Sequence, residues 1–494
     1  MSALLFLTVI VCYFASLIII SKITSRKADD ASYFIGNKQS PWYLVAFGML
    51  SDSLSGVTYI SVPGAVQKVS LTYFQVVIGY FLGYFLIVFI LLPLYYRLNL
   101  ISIYTYLRQR FGQNAQKTGS FYFLISRLFG AGGRLMLAIG VMQLFIFDAW
   151  HIHFSVTTSI FIALMLIYTY KGGIKTLVYT DAFQSLFLIA GVVLSIIAIA
   201  SQLHLNFADI SNLVSDGPYN KVIESNPLKA SFWLKNIIGG ALFTVAMTGL
   251  DQNMMQKNLS MKSLKDAQKN MIWFSFVMLL VNVFFLSLGV LLYHYASVNQ
   301  IQLPLNETGQ IITDRVFPTL AMNYFGTFTS LAFIIGLTAA TFSSADSVLA
   351  TLTTSFCIDF LGFESDSQLT HDNKVRTRHL VHIGFAIALL VVILFLKFIL
   401  KSSSAIDLIL WLATLTYGPL IGLFAIGLFT KWQFKDKFIP LICLISPVLS
   451  YLISKNSKAY LGGYEFGNEL IFLNGALTFI FLLLLKTKKL QVSN

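Results

Sequence analysis

Gly48-Met49-Leu50-Ser51-Asp52-Ser53-Leu54-Ser55-Gly56-Val57-Thr58, followed by Pro63-Gly64, interrupts an apolar stretch at 43–67 that is long enough to cross a bilayer. A run dense in Ser and Gly with a nearby Pro is poor helix-forming material. Lipid offers no water to an exposed carbonyl, so an unwound turn at membrane depth is tolerated only where its backbone faces protein or a cavity. Such a turn near mid-membrane frees carbonyls for a cation and turns a half-helix N-terminus toward an anionic group, the construction used by transporters with inverted repeats. A partner break is then expected in the corresponding span of a second repeat. Gly239-Gly240 and Thr248-Gly249 fit that place, giving repeats of five spans at 43–201 and 231–429.

The rest of the chain has the composition of a polytopic membrane protein. Of 494 residues 56% are hydrophobic and 11% charged, with a mean hydropathy of +0.75, too apolar for a soluble globule of this length. Apolar segments of spanning length fall near 2–21, 43–67, 72–96, 119–147, 154–170, 179–201, 231–252, 270–295, 327–357, 379–398, 405–429, 438–454 and 468–485, about 13 transmembrane helices in an all-α protein. With the N-terminus outside, most basic residues lie on the cytoplasmic side, among them Lys22, Arg26, Arg108, Arg110, Lys257, Lys262, Lys265, Lys269, Lys374, Arg376, Arg378, Lys486 and Lys488. The positive-inside rule therefore sets the orientation, with the C-terminus cytoplasmic. The net charge of +13 needs no nucleic acid, only the anionic cytoplasmic face of a bilayer.

The segment before Lys22 has no basic n-region or cleavage pattern, so 2–21 is expected to remain as an extra N-terminal helix. The inserts 203–230 and 296–326 read as short external loops and 360–378 as a solvated cytoplasmic one. Residues 1–494 thus form a single integral membrane domain, with 438–485 as C-terminal helices. Cys12, Cys357 and Cys443 sit in or beside apolar segments without metal or redox spacing, and read as small buried hydrophobes. No nucleophile–base or metal constellation points to an enzyme.

Chemistry must come from buried polar groups. Asp52, Arg127, Arg134, Asp181, Asp251, Asp346 and Asp407 are charges that the spans do not readily export, and each costs roughly 2.5 to 3.5 kcal/mol in lipid unless paired or bound. Ala339-Ala340-Thr341-Phe342-Ser343-Ser344-Ala345-Asp346-Ser347 gathers hydroxyls and a carboxylate on neighbouring turns. Oxygen ligands without thiolate or imidazole suit a hard cation; Ser and Thr also join membrane helices by hydrogen bonds and close packing. Ala340, Ser343 and Ser344 are i, i+3 and i+4, so one helix face presents all three. Arg127 could hold a carbonyl or a lipid phosphate, and Asp52 could neutralise Arg134.

Several motifs together resemble the sodium/solute symporter family: Tyr33-Phe34-Ile35-Gly36, Ser53 to Gly56 with Val62-Pro63-Gly64, Tyr106 to Gly112, Gly172-Gly173-Ile174, Tyr179-Thr180-Asp181 with Gln184, Asp251-Gln252 to Gln256-Lys257, Ala339 to Ser347, and Gly418-Pro419. The resemblance runs from about residue 30 to 430 and implies the LeuT-like five-plus-five inverted repeat. It further implies a sodium site made by the carbonyls of Ser51, Leu54 and Ala340 with the hydroxyls of Ser343 and Ser344, and in some members a second sodium site, here Asp181, Ser343, Asp346 and Ser347. The sialic-acid branch has Ser where this chain has Asp346. Gly133-Arg134 looks like that branch's Gly-Arg pair, whose arginine holds the substrate carboxylate. Ser53, Ser55 and Thr58 match hydroxyls around it, and Gln75 lies two residues from Val77, which replaces a substrate-contacting Gln.

The function expected is sodium-coupled import of a small polar organic solute, carboxylate-bearing and sialic acid-like, across the inner (plasma) membrane. A neutral sugar or polyol is the rival solute, and a passive channel or membrane sensor on the same fold the rival class. Sodium, the solute and the bilayer are the expected partners, and a monomer the expected state.

Overall fold

The computed structural model describes residues 3–26, 30–363, 370–399 and 405–489; the side chain of Asp407 and most of the tip of the 360–378 loop lie outside them. Helices dominate, as their apolar composition requires where no other partner exists for the backbone. In chain order they are α1 (Ala3–Thr24), α2 (Trp42–Ser53), α3 (Gly56–Val69), α4 (Tyr73–Leu86), α5 (Gln113–Met142), α6 (Phe154–Tyr170), α7 (Gly173–Gln202), α8 (Trp233–Thr244), α9 (Gln252–Leu259), α10 (Leu264–Val298), α11 (Thr327–Ser355), α12 (His371–Ile399), α13 (Ala405–Phe429), α14 (Ile439–Tyr460) and α15 (Leu470–Leu484). A two-stranded antiparallel ribbon, β1 (Trp432–Phe434) with β2 (Lys486–Lys489), ties the segment after α13 to the chain's end.

Both expected breaks are present. Between α2 and α3 the chain bends by 60°, and between α8, prolonged by a π turn to Gly249, and α9 by 61°. The second break falls at Gly249 to Asp251, so of the two glycine pairs foreseen for it only Thr248-Gly249 marks it. Gly240 instead lets α8 lie directly on α4, where a Cβ would meet the Val76 carbonyl at 2.4 Å. The inserts are more structured than loops. A helix at Phe207–Ser215, opened by a reciprocal Asn206–Asp209 capping box, lies within 203–230, and another at Thr313–Asn323 packs on α3.

α11 runs through the middle of the bundle, buried along its whole length from Leu337 to Ser355, and its chief partner is the α6–α7 segment. That burial explains why a helix so rich in Ser and Thr stays in place. Thr338, Thr341, Thr353 and Thr354 satisfy their hydroxyls on carbonyls four residues back in their own helix, at 2.6 to 3.0 Å. Hydroxyls of α11 on Ser330, Ser343, Ser347, Thr351, Thr353 and Thr354 also reach other elements.

Candidate cation and solute site

One of those hydroxyls is that of Ser343, whose Oγ lies 2.6 Å from Ser51 Oγ at the end of α2. Here α2 stops: Leu54 N–H bonds to the Leu50 carbonyl at 2.7 Å, Ser55 is extended, and the carbonyls of Ser51 and Leu54 accept no hydrogen bond among the described residues. Two carbonyls freed beside a buried hydroxyl are what a hard cation needs. The approach of α3 to α11 is equally close, for a Cβ on Gly56 would stand 2.2 Å from Thr341 Oγ1. The structure thus brings Ser51 and Ser343 together at one junction of α2 and α11, with Leu54 at the end of α2. Ala340 and Ser344 are buried on the same turns of α11, Ser344 donating to the Thr341 carbonyl at 3.0 Å.

The expected second set is arranged differently. Asp181, fully buried on α7, accepts the hydroxyl of Ser343 on Oδ1 at 3.2 Å and that of Ser347 on Oδ2 at 3.4 Å. Asp346 points elsewhere. Its Oδ2 takes the Tyr168 hydroxyl at 2.8 Å and its Oδ1 the backbone N–H of Ser347. Lys257, placed by charge distribution among the cytoplasmic lysines, is instead completely buried at the end of α9. Its ammonium contacts Asp181 Oδ2 and lies 3.0 Å from Asp52 Oδ2, while Asn253 donates to that same Asp52 oxygen at 2.9 Å. Of the four expected ligands, Ser343 and Ser347 meet on Asp181 while both oxygens of Asp346 bond elsewhere, and a positive charge already rests on Asp181.

This arrangement also corrects the expected partner of Arg134. Asp52 pairs with Lys257, and Arg134 makes no ion pair or hydrogen bond among the described residues although it is only 8% exposed. Arg127 does hold a carbonyl, that of Met247, to which its Nη2 donates at 2.9 Å; its Nε lies 2.6 Å from Asp251 Oδ2, and Tyr417 donates to the same Asp251 oxygen at 2.6 Å. Asp251 sits in the second break and caps α9, accepting the Met254 N–H at 3.2 Å.

Between the two broken helices lies a cavity of about 110 Å³. Ser53, Ser55, Thr58 and Arg134 line it, together with Asp52, Arg127, Thr244, Thr248, Asn282 and the tyrosines Tyr73, Tyr80 and Tyr84. Gln75, expected among the substrate contacts, does not. It lies about 200° around α4 from Tyr73, donating to the Val222 carbonyl and receiving Asn236 at 3.4 Å. The tyrosine face was missed by sequence reasoning; the spacing of 73, 80 and 84 marks a single stripe on α4, and Asn282 is an amide in the middle of an apolar span.

A bundle whose two discontinuous helices meet at one buried cavity, with a cation-type junction against a third helix, defines a secondary transporter of the LeuT-like class. Within that class the chain belongs to the sodium:solute symporter family, whose pattern matches residues 33–433. It is a multi-pass plasma-membrane protein and a sodium-coupled symporter. It is 24% identical to the sodium/sialic acid symporter SiaT of Proteus mirabilis over 85% of this chain and 83% of that protein. It is 23% identical to sodium-coupled monocarboxylate transporter 2 of Mus musculus, over 83% of this chain and 65% of that one. In fold it resembles a substrate-bound, outward-open sodium-coupled sialic acid symporter with a TM-score of 0.82 at 20% identity, covering 97% of each chain. Mhp1, a nucleobase-cation-symport-1 family transporter in a closed conformation, follows at 0.56 and 13% identity, covering 92% of this chain and 93% of that one.

Proposed function

We propose that this symporter imports a small carboxylate-bearing solute of the sugar-acid kind, as a monomer with its N-terminus outside. Arg134 carries the reading. A guanidinium on a buried wall, with Asp251 held by Arg127, Asp52 Oδ2 held by Lys257 and no partner of its own among the described residues, supports an anionic ligand. Its planar fork suits a carboxylate held by two parallel hydrogen bonds. Ser53, Ser55 and Thr58 offer hydroxyls to the rest of the solute, and the tyrosine stripe of α4 gives its ring an apolar wall. The sugar-acid choice also draws on the relatives that carry sialic acid in their names.

Sodium is assigned to the carbonyls of Ser51, Leu54 and Ala340 and the hydroxyls of Ser343 and Ser344. Bound there, it bridges the end of α2 to α11 and fixes the break that forms one wall of the cavity, so that ion and solute favour the same conformation. Each sodium entering gains about 2.3 kcal/mol per 100 mV of membrane potential, before its concentration gradient is counted. The work is binding and release; no bond is made or broken.

The test is a thermal-stability screen of purified protein against sialic acids, neutral sugars, monocarboxylates and amino acids, with and without sodium, followed by uptake into proteoliposomes. A ligand of the native state raises its apparent stability. Sodium-dependent stabilisation by a sugar acid, lost in Arg134→Gln, is expected. A neutral sugar that stabilises wild type and Arg134→Gln alike would overturn the carboxylate assignment, and uptake unchanged when choline replaces sodium would overturn symport in favour of a channel.

A further inference from the structure

The ammonium of Lys257 occupies ground that a second sodium would need. It is 1% exposed, bonded to Asp52 Oδ2 at 3.0 Å and in contact with Asp181 Oδ2. Of the side chains expected around a second ion, two bond the third, Asp181: Ser343 on one carboxylate oxygen and Ser347 on the other, the latter shared with Lys257. The remaining one, Asp346, has both oxygens engaged by Tyr168 and by the Ser347 N–H. An ammonium and a sodium ion ask for the same surroundings, a few oxygens and compensating negative charge. Here one fixed positive charge already satisfies the central carboxylate and bonds its neighbour as well.

We propose that Lys257 is a tethered cation standing in for a second sodium, so that this symporter couples its solute to one sodium ion, bound at the junction of Ser51, Leu54, Ala340, Ser343 and Ser344. The proposal rests on the sodium-symport reading above. A tethered charge differs from an ion in one decisive respect: it cannot leave on the cytoplasmic side. It therefore contributes the structural effect of a bound cation without drawing on the sodium gradient. That effect is concrete, because Lys257 belongs to α9, Asp52 to α2 and Asp181 to α7, and the ammonium joins both broken helices to a third element.

The experiment uses the full chain in detergent and sodium alone as probe, counting bound radioactive sodium per protein by scintillation proximity and reading the Hill slope of its saturation. One sodium and a slope near one are expected for wild type. Lys257→Met/Asp52→Asn removes the ammonium with one of its carboxylates, so no net charge is added to the interior, and leaves Asp181 open. It should bind a second sodium with a slope well above one, and adding Asp181→Asn should return the count to one. Lys257→Met alone should give the same second site if it folds; the compensated variant keeps the question answerable if it does not. Two sodium ions on wild type, or a single ion on the compensated variant, would overturn the proposal while leaving symport intact. Absence of any saturable sodium binding to wild type would instead overturn the symport reading, and the proposal with it.

Discussion

Asp251→Asn should be among the most damaging conservative substitutions in this protein. The carboxylate lies 2.6 Å from Arg127 Nε, with side-chain exposures of 0% and 7%, and the same oxygen receives Tyr417 at 2.6 Å. Two opposite charges at that distance attract by about 6 kcal/mol at an effective dielectric constant of 20. Desolvation offsets much of this in the intact pair, but removing one partner leaves the other charged and buried, at a net cost of about 3–5 kcal/mol. The amide keeps a single acceptor oxygen, so it can cap α9 or accept from Tyr417 but not both, and the loss of one hydrogen bond adds to that of the charge. Chemical denaturation in detergent measures it, and Arg127→Met in the same background should recover at least half of the deficit, because no buried ion then lacks a partner. Coupling of this kind is read from the full double-mutant cycle. An Asp251→Asn variant as stable as wild type, or two single effects that simply add in the double variant, would refute the argument.

Other outcomes follow from the same geometry. Ser343→Ala and Ser344→Ala should each raise the half-saturating sodium concentration, Ser343→Ala more strongly because its hydroxyl also bonds Ser51 and Asp181; sodium activation unchanged in both would sink the site. Arg134→Lys keeps the charge and loses the fork, so solute affinity should fall by roughly 1.5–3 kcal/mol, about tenfold to 150-fold, with sodium binding retained; an equal affinity measured by calorimetry would remove Arg134 from the solute. Gly56→Ala drives a methyl to 2.2 Å from Thr341 Oγ1 and should cost about 1–3 kcal/mol of stability, with Thr341→Ala restoring most of it; a melting curve like wild type's for Gly56→Ala alone would show that α3 and α11 can part freely.

What the sequence revealed divides along the range of the interaction. The break at Leu54-Ser55 was legible because helix propensity is local and the Ser-Gly-Pro run is extreme. The hydroxyl face of α11 was legible because a helix repeats every 3.6 residues. Arg134 was legible as a membrane charge, but its lack of a partner was not, since that depends on which carboxylates are engaged elsewhere. Lys257 was assigned to the cytoplasm because it follows an apolar segment by a few residues, the place where basic residues normally lie. The bend at Gly249 to Asp251 instead turns α9 back into the bundle and buries it. The pairing of Arg127 with Asp251, 124 residues apart, and the displacement of Gln75 by half a turn are tertiary facts with no local signature.

The contact between Ser51 and Ser343 has one further consequence. Asp181 Oδ1 can only accept, so the hydroxyl of Ser343 donates to it. Ser51 Oγ, 2.6 Å away, also reaches the carbonyls of Gly48 and Asp181 at 3.0 Å each, so the two serines tie α2 and α11 to α7 in one hydrogen-bonded cluster. With its proton on Asp181, Ser343 keeps a lone pair for the ion before it arrives. The ion need not turn the hydroxyl as it binds, and its affinity is set in part by a carboxylate that is not among its ligands there.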